Sequence, residues 1–154
     1  MTEAGFWTIV AMLNWAATGD DDAVAVPAVT ELAKYEIEEI HEFQSILARK
    51  LYALDTRAHA EQIGEYAYRE GEGFSVDWFL YARCAVVANG EQLYTRVLEN
   101  PPEFPMDIEF ESLLYLAPEA YERKTGAEYN HVAEPSYETF SNVEGWRQSD
   151  RISS

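Results

Sequence analysis

GEGFSVDWFLYARCAVVANG, residues 71–90, is the stretch from which the architecture is read. Gly71 and Gly73 mark a turn, Ser75 is placed to cap a helix, and apolar residues then occupy most of the circumference from Val76 to Asn89. A helix that is apolar on most sides needs neighbours on most sides. The pattern therefore predicts a central helix over 76–89, stopped by Asn89 and Gly90, with the rest of the chain packed around it.

Working back toward the N terminus, Arg57, Ile63, Tyr66 and Ala67 predict a helix over 57–69. Before it, Ile37, Ile40, Phe43, Leu47, Leu51 and Leu54 step by three or four through a helix over 36–55. Glu36, Glu38, Glu39 and Glu42 crowd its first half and Arg49 and Lys50 its second, the distribution the helix dipole favours. Pro27 fits the first turn of a short helix reaching Leu32 and Tyr35, and Thr2 caps a first helix over 3–17 with Phe6, Ile9, Val10 and Leu13 inward. Toward the C terminus, a helix over 91–99 precedes Pro101, Pro102 and Pro105. A last helical region over 107–124 is interrupted near Pro118.

Strand patterning is weak; 24–29 and 137–143 are the places where a short strand would fit. The expected fold is mainly α: a single-domain bundle of about six helices with an irregular C-terminal tail. Residues 1–126 form the helical domain, and 127–154 an irregular extension packed on it. In that tail Tyr137, Phe140, Val143 and Trp146 recur every third residue and are expected to lie against the body, with Ser149 to Ser154 frayed.

Composition bounds the function. At 154 residues the chain suits one core, burying roughly 70% of its extended surface. With 47% hydrophobic and 14% aromatic residues, its acidity is carried by a folding sequence. A net charge of -17 repels nucleic acid and anionic membranes, so neither is an expected partner, whereas a basic protein is. No stretch approaches the roughly 20 apolar residues needed to span a bilayer. Cys84 is the single cysteine and has Ala82, Ala85, Val86 and Val87 around it, so it reads as a packed thiol; the first residues lack a signal-peptide pattern, and the expected setting is cytoplasmic.

Ser75, Asp77, Phe79, Tyr81, Arg83 and Gly90, followed by Glu91, Gln92, Leu93 and Tyr94 and by Asn100 with Pro101, form a pattern that resembles the bacterial DUF4240 family, whose function is unknown. Glu3, Phe6, Trp7 and Ile9 and the run AYERKTG over 120–126 are similar to it too. Val76 and Leu80 stand where that pattern has acids, and Trp78 where it has glycine. Any chemistry the family performs with those carboxylates would be impaired here, and the resemblance brings no activity with it.

Ser75, Asp77, Tyr81 and Arg83 are the candidate ligand-binding residues, because Asp77 and Tyr81 share a helix face. Their structural reading comes first: Ser75 and Asp77 stabilise a helix start, and an arginine within an apolar helix pairs with a carboxylate or carbonyls. Glu38-x-x-His41 and Glu128-x-x-His131 have the spacing seen in bundle metal sites, but one lies in the poorly helical tail, His41 reads as solvent exposed, and no metal or other cofactor is expected. His59, between alanines, reads as a half-buried histidine bonded to the backbone. No phosphate loop or nucleophile elbow is present.

The most distinctive charge feature lies between Arg96 and Arg123. That interval has no base, yet carries Glu99, Glu103, Asp107, Glu109, Glu111, Glu119 and Glu122 among Phe104, Phe110, Leu114 and Tyr115. It reads either as a solvated face over a normal core or as a docking surface for a basic partner. The leading functional expectation is a non-enzymatic acidic interaction module, such as an immunity-type or inhibitory protein covering a basic site. The alternatives are an enzyme or small-ligand binder with a pocket at Asp77, Tyr81 and Arg83, and a regulatory subunit acting as a homo-oligomer.

Overall fold

In the computed structural model, which describes residues 1–147, the helix predicted over 76–89 runs Val76–Ala88 (α5) and carries the core. Ser75 Oγ accepts the Trp78 amide at 3.1 Å, and Phe79, Leu80 and every residue from Ala82 to Ala88 are buried. Around α5 lie α1 (Glu3–Val10), α2 (Asp21–Leu32), α3 (Ile37–Ala53), α4 (Arg57–Ala60), α6 (Glu91–Glu99), α7 (Leu116–Thr125) and α8 (Val143–Trp146). There is no strand among the described residues, so the fold is all-helical. Helix α5 packs on α3, α6 and the 3₁₀ turn Glu111–Tyr115, while α7 packs on α2 and α3. One apolar cluster, with Phe6, Phe43, Phe79 and Phe110 its largest aromatic members, joins all of these. Truncating such a fully buried aromatic costs roughly 3–5 kcal/mol.

Several boundaries differ from expectation: the last helical region, expected over 107–124, begins with the 3₁₀ turn Glu111–Tyr115 and becomes α-helical only at Leu116. Helix α1 ends at Val10 because the Asn14 amide bonds the Val24 carbonyl at 2.9 Å and its side chain accepts from Ala16, which leaves only a 3₁₀ turn at Trp15–Ala17. Helix α2 starts earlier than expected, at Asp21, because Asp20 caps it through the Ala23 amide at 3.2 Å; Pro27 therefore lies inside the helix. Helix α4 stops after one turn. The following residues bond across the chain instead, Asp107 N to Ile63 O and Glu65 N to Asp107 Oδ1, both at 2.9 Å. Pro118 does not interrupt α7: it sits in the first turn, where its missing N–H is no loss.

Beyond Gly126, whose φ of 71° closes α7, the chain forms an irregular strap ending in α8. Tyr137 and Trp146 pack against the core, while Phe140 and Val143 stay 47% and 64% exposed, so only half of the three-residue stripe faces inward. The expectation for Ser149 to Ser154 falls outside the described residues.

Candidate functional site

Beside Asp77 and Tyr81, two of the predicted ligand-binding residues, lies a groove of about 520 Å³. Helix α5 supplies Asp77, Leu80 and Tyr81, the 3₁₀ turn supplies Leu114 and Tyr115, α3 supplies Gln44, and the strap closes the far side with Tyr129, His131, Tyr137 and Glu138. Residues four apart share a helix face, which is why Asp77 and Tyr81 both reach it. The apolar floor includes Leu80 and Leu114, while Asp77 and Glu138 are exposed at the rim. Burial, with Glu111 and Asp77 next, raises the Tyr81 phenol. Burial also raises Tyr137, and pushes Tyr129 up to about 12. The phenols are therefore neutral at physiological pH, and the negative charge of the groove comes from its carboxylates.

Gln44 is 5% exposed and its Oε1 has no hydrogen-bond partner; Tyr129 Oη is likewise buried and unpartnered. A buried acceptor without a partner forfeits about 1–3 kcal/mol. Neither residue stood out in the sequence, although a glutamine within the apolar stripe of α3 was a legible irregularity.

Arg83 does not face this groove. It is 0% exposed and its Nη1 donates to Leu51 O at 2.9 Å and Tyr137 O at 3.0 Å, while Nη2 donates to Thr139 Oγ1 at 3.0 Å. Its guanidinium also lies 4.6 Å from the Phe79 ring centre. Of the candidate residues, Asp77 and Tyr81 come together at the groove, Ser75 is the helix cap, and Arg83 secures the strap.

The two Glu-x-x-His spacings converge. His41 is not solvent exposed as expected: it is partly buried and stacks on His131, ring centres 4.1 Å and planes 11° apart, with Tyr121 and Tyr129 around it. Face-to-face rings do not aim their nitrogens at a common point, and no cluster of three or more potential ligands among the described residues could hold a metal ion. Burial, then His131, lowers the His41 pKa against the pull of Glu38. His59 is buried, with Nε2 2.8 Å from Val97 O and Nδ1 2.7 Å from Thr56 Oγ1. Because a carbonyl only accepts, Nε2 carries the proton and the Thr56 hydroxyl donates to Nδ1. Burial lowers the pKa of His59, and Arg83 adds to that. Cys84 is packed as expected, its thiol pushed up to about 12 by burial.

The acids of the base-free interval are spread over the surface. Glu99 borders a second groove with Arg57 and Arg147. Glu103 pairs with Arg96 at 3.7 Å. Asp107 holds the Glu65 amide, and Glu109 accepts from the Glu111 amide. Glu111 accepts the Tyr115 hydroxyl at 2.9 Å. Glu119 and Glu122 lie on α7, where Glu119 is held above the usual carboxylate range by partial burial and then by Asp22. Within this set only Glu103 forms an ion pair among the described residues.

The family model for DUF4240, a protein family of unknown function, matches residues 1–123. No curated protein and no solved structure matches the chain. Among the described residues no helix is long and apolar enough to cross a membrane. The strap, which supplies half of the first groove and two of the three hydrogen-bond partners of Arg83, lies beyond the matched residues.

Proposed function

We propose that this chain, which belongs to the DUF4240 family, is a non-enzymatic acidic interaction module that covers a basic site on another protein, in the manner of an immunity or inhibitory protein. One observation carries the reading. Glu99, Asp107, Glu109, Glu119 and Glu122 are exposed without an ion-pair partner among the described residues, on a chain of net charge -17. Several basic side chains are paired with acids elsewhere, as in Lys34–Glu31, Arg49–Glu42 and Lys50–Glu3. The crowding of Glu119 and Asp22 is electrostatic repulsion that a basic surface would relieve. A cytoplasmic setting belongs to the same proposal, supported by the single buried cysteine.

The experiment is capture from host lysate at low and high salt, with the chain beside a Glu99→Gln/Glu109→Gln/Glu119→Gln/Glu122→Gln variant. A basic protein retained at low salt, released at high salt and not retained by the variant supports the reading. Retention independent of salt and of these carboxylates, or no retained protein, argues against it.

A second reading, small-ligand binding, draws support from the groove beside Asp77 and Tyr81, a volume within the usual range for ligand sites. Arg83 has no part in it, so the groove lacks the arginine cation that would hold an anionic ligand.

A further inference from the structure

The groove between α5 and the strap is an acceptor-rich aromatic slot. Its side chains include the phenols of Tyr81, Tyr115, Tyr129 and Tyr137 and the carboxylates of Asp77 and Glu138, while His131 is its one basic residue. Gln44, whose side chain is more than nine-tenths buried, and Tyr129 line it too, and the Gln44 amide oxygen and the Tyr129 hydroxyl are buried without partners. Glu111 adds a further carboxylate within reach of Tyr81 and Tyr115. An occupant matched to these carboxylates and rings bears positive charge, is rich in donors, and is flat enough to lie against tyrosine rings.

Among protein side chains that description fits arginine best. Its guanidinium presents five N–H donors in a plane, stacks on aromatic faces and sheds water more readily than an ammonium, whereas lysine offers a compact, strongly hydrated point charge. The open rim between Asp77 and Glu138 leaves room for the backbone that delivers it. We propose that the groove receives one arginine side chain from the basic partner, its guanidinium against the tyrosine rings and between the Asp77 and Glu138 carboxylates, with the unpartnered Gln44 side chain lining the same groove. This rests on the interaction-module reading and names the residue that such a partner inserts. Buried arginines in well-packed pockets are typical anchors of protein interfaces.

The test is titration of the full chain, followed by NMR and calorimetry, with the peptide acetyl-Gly-Arg-Gly-amide, its citrulline counterpart, and propylguanidinium. Citrulline keeps the shape and removes the charge; propylguanidinium supplies the same single cation without a peptide backbone. The arginine peptide is expected to bind at least tenfold tighter than the citrulline peptide and no more weakly than propylguanidinium. Gln44→Leu and Asp77→Asn should each weaken it fivefold or more. Because Asp77 also lies in the first turn of α5, Glu138→Gln, an exposed side chain on the strap away from any helix, repeats the test and should weaken binding by the same factor. Equal binding of the arginine and citrulline peptides, variants without effect, or propylguanidinium binding tighter than the peptide overturns the proposal. If the peptide fails while salt-sensitive capture of a basic partner persists, the groove assignment falls and the interaction module stands.

Discussion

Arg83 on α5 and Asp55, two residues beyond the end of α3, are both fully buried, and both hold the same piece of strap. Arg83 donates to Tyr137 O and Thr139 Oγ1. Asp55 accepts the Phe140 amide at 3.2 Å, the Asn142 amide at 3.0 Å and the Trp146 indole N–H at 2.8 Å. Each charge is also in the other's field, Asp55 favouring the charged form of Arg83 against its burial. The strap is thus fixed by buried polar groups of the body rather than by apolar contact alone. Removing Arg83 strips the Leu51 and Tyr137 carbonyls of its N–H groups, removing Asp55 strips the Phe140 and Asn142 amides and the Trp146 indole N–H of their acceptor, and either loss takes an opposite charge from the survivor's surroundings.

Arg83→Met and Asp55→Ala are therefore expected to destabilise the protein by roughly 3–5 kcal/mol each, with the double variant losing less than their sum. Urea unfolding followed by tryptophan fluorescence measures this. A loss below about 1 kcal/mol for either, the net value of one ordinary hydrogen bond, contradicts the anchoring role.

Gly145 gives an independent probe of how closely the strap docks. A Cβ added there would lie 2.8 Å from the Asp55 carbonyl oxygen and 2.8 Å from Thr56 Cγ2. Gly145→Ala should cost about 1–3 kcal/mol through this overlap. Gly73→Ala, where an added Cβ meets nothing within 4 Å, should be close to neutral in the same unfolding assay.

Acid should weaken the fold through His41 and His59, whose pKa values both lie below the ordinary 6.5. The folded state then binds fewer protons than the unfolded one, so this stability is fully present above 6.5 and is lost as pH falls from 6.5 toward the folded values. Between about pH 6.5 and 5.5 most carboxylates have not begun to titrate, which isolates the histidines. Thermal unfolding in that window should fall with pH, and a His41→Gln/His59→Gln variant should show a flatter profile. Equal slopes for the two proteins would exclude both histidines as its source.

Cys84 should be inert in the native state. A thiol at about 12 in a fully buried site presents almost no thiolate at pH 8. Reaction with a disulfide reagent should proceed only in denaturant, and rapid labelling of the native protein would show that α5 is more open than described.

Local chemistry made much of the fold legible: α5 and α6 begin where Ser75 and Gly90 indicated, and α3 follows its apolar spacing within two residues at each end. What sequence spacing could not show were the contacts made across it. The bonds from Asp107 to Ile63 and Glu65, about forty residues away, end α4 early, and the Asn14–Val24 bond shortens α1. At the groove, Asp77 and Tyr81 were readable as one helix face. Gln44, Tyr129 and Glu138 were not, because tertiary folding alone brings α3 and an irregular strap to that face. Arg83 was correctly read as needing carbonyls or a carboxylate, but nothing in its neighbourhood revealed that the strap supplies them.

The account turns on whether the uncompensated acids guide a basic partner. The deciding measurement is the association rate constant with the basic protein captured at low salt, followed as ionic strength rises from about 0.01 M to about 0.15 M, where the screening length shortens from about 30 Å to about 8 Å. A fall of about tenfold or more, reduced in the Glu99→Gln/Glu109→Gln/Glu119→Gln/Glu122→Gln variant, is the predicted result. A rate constant unchanged across that range, in the chain and in the variant alike, would contradict it.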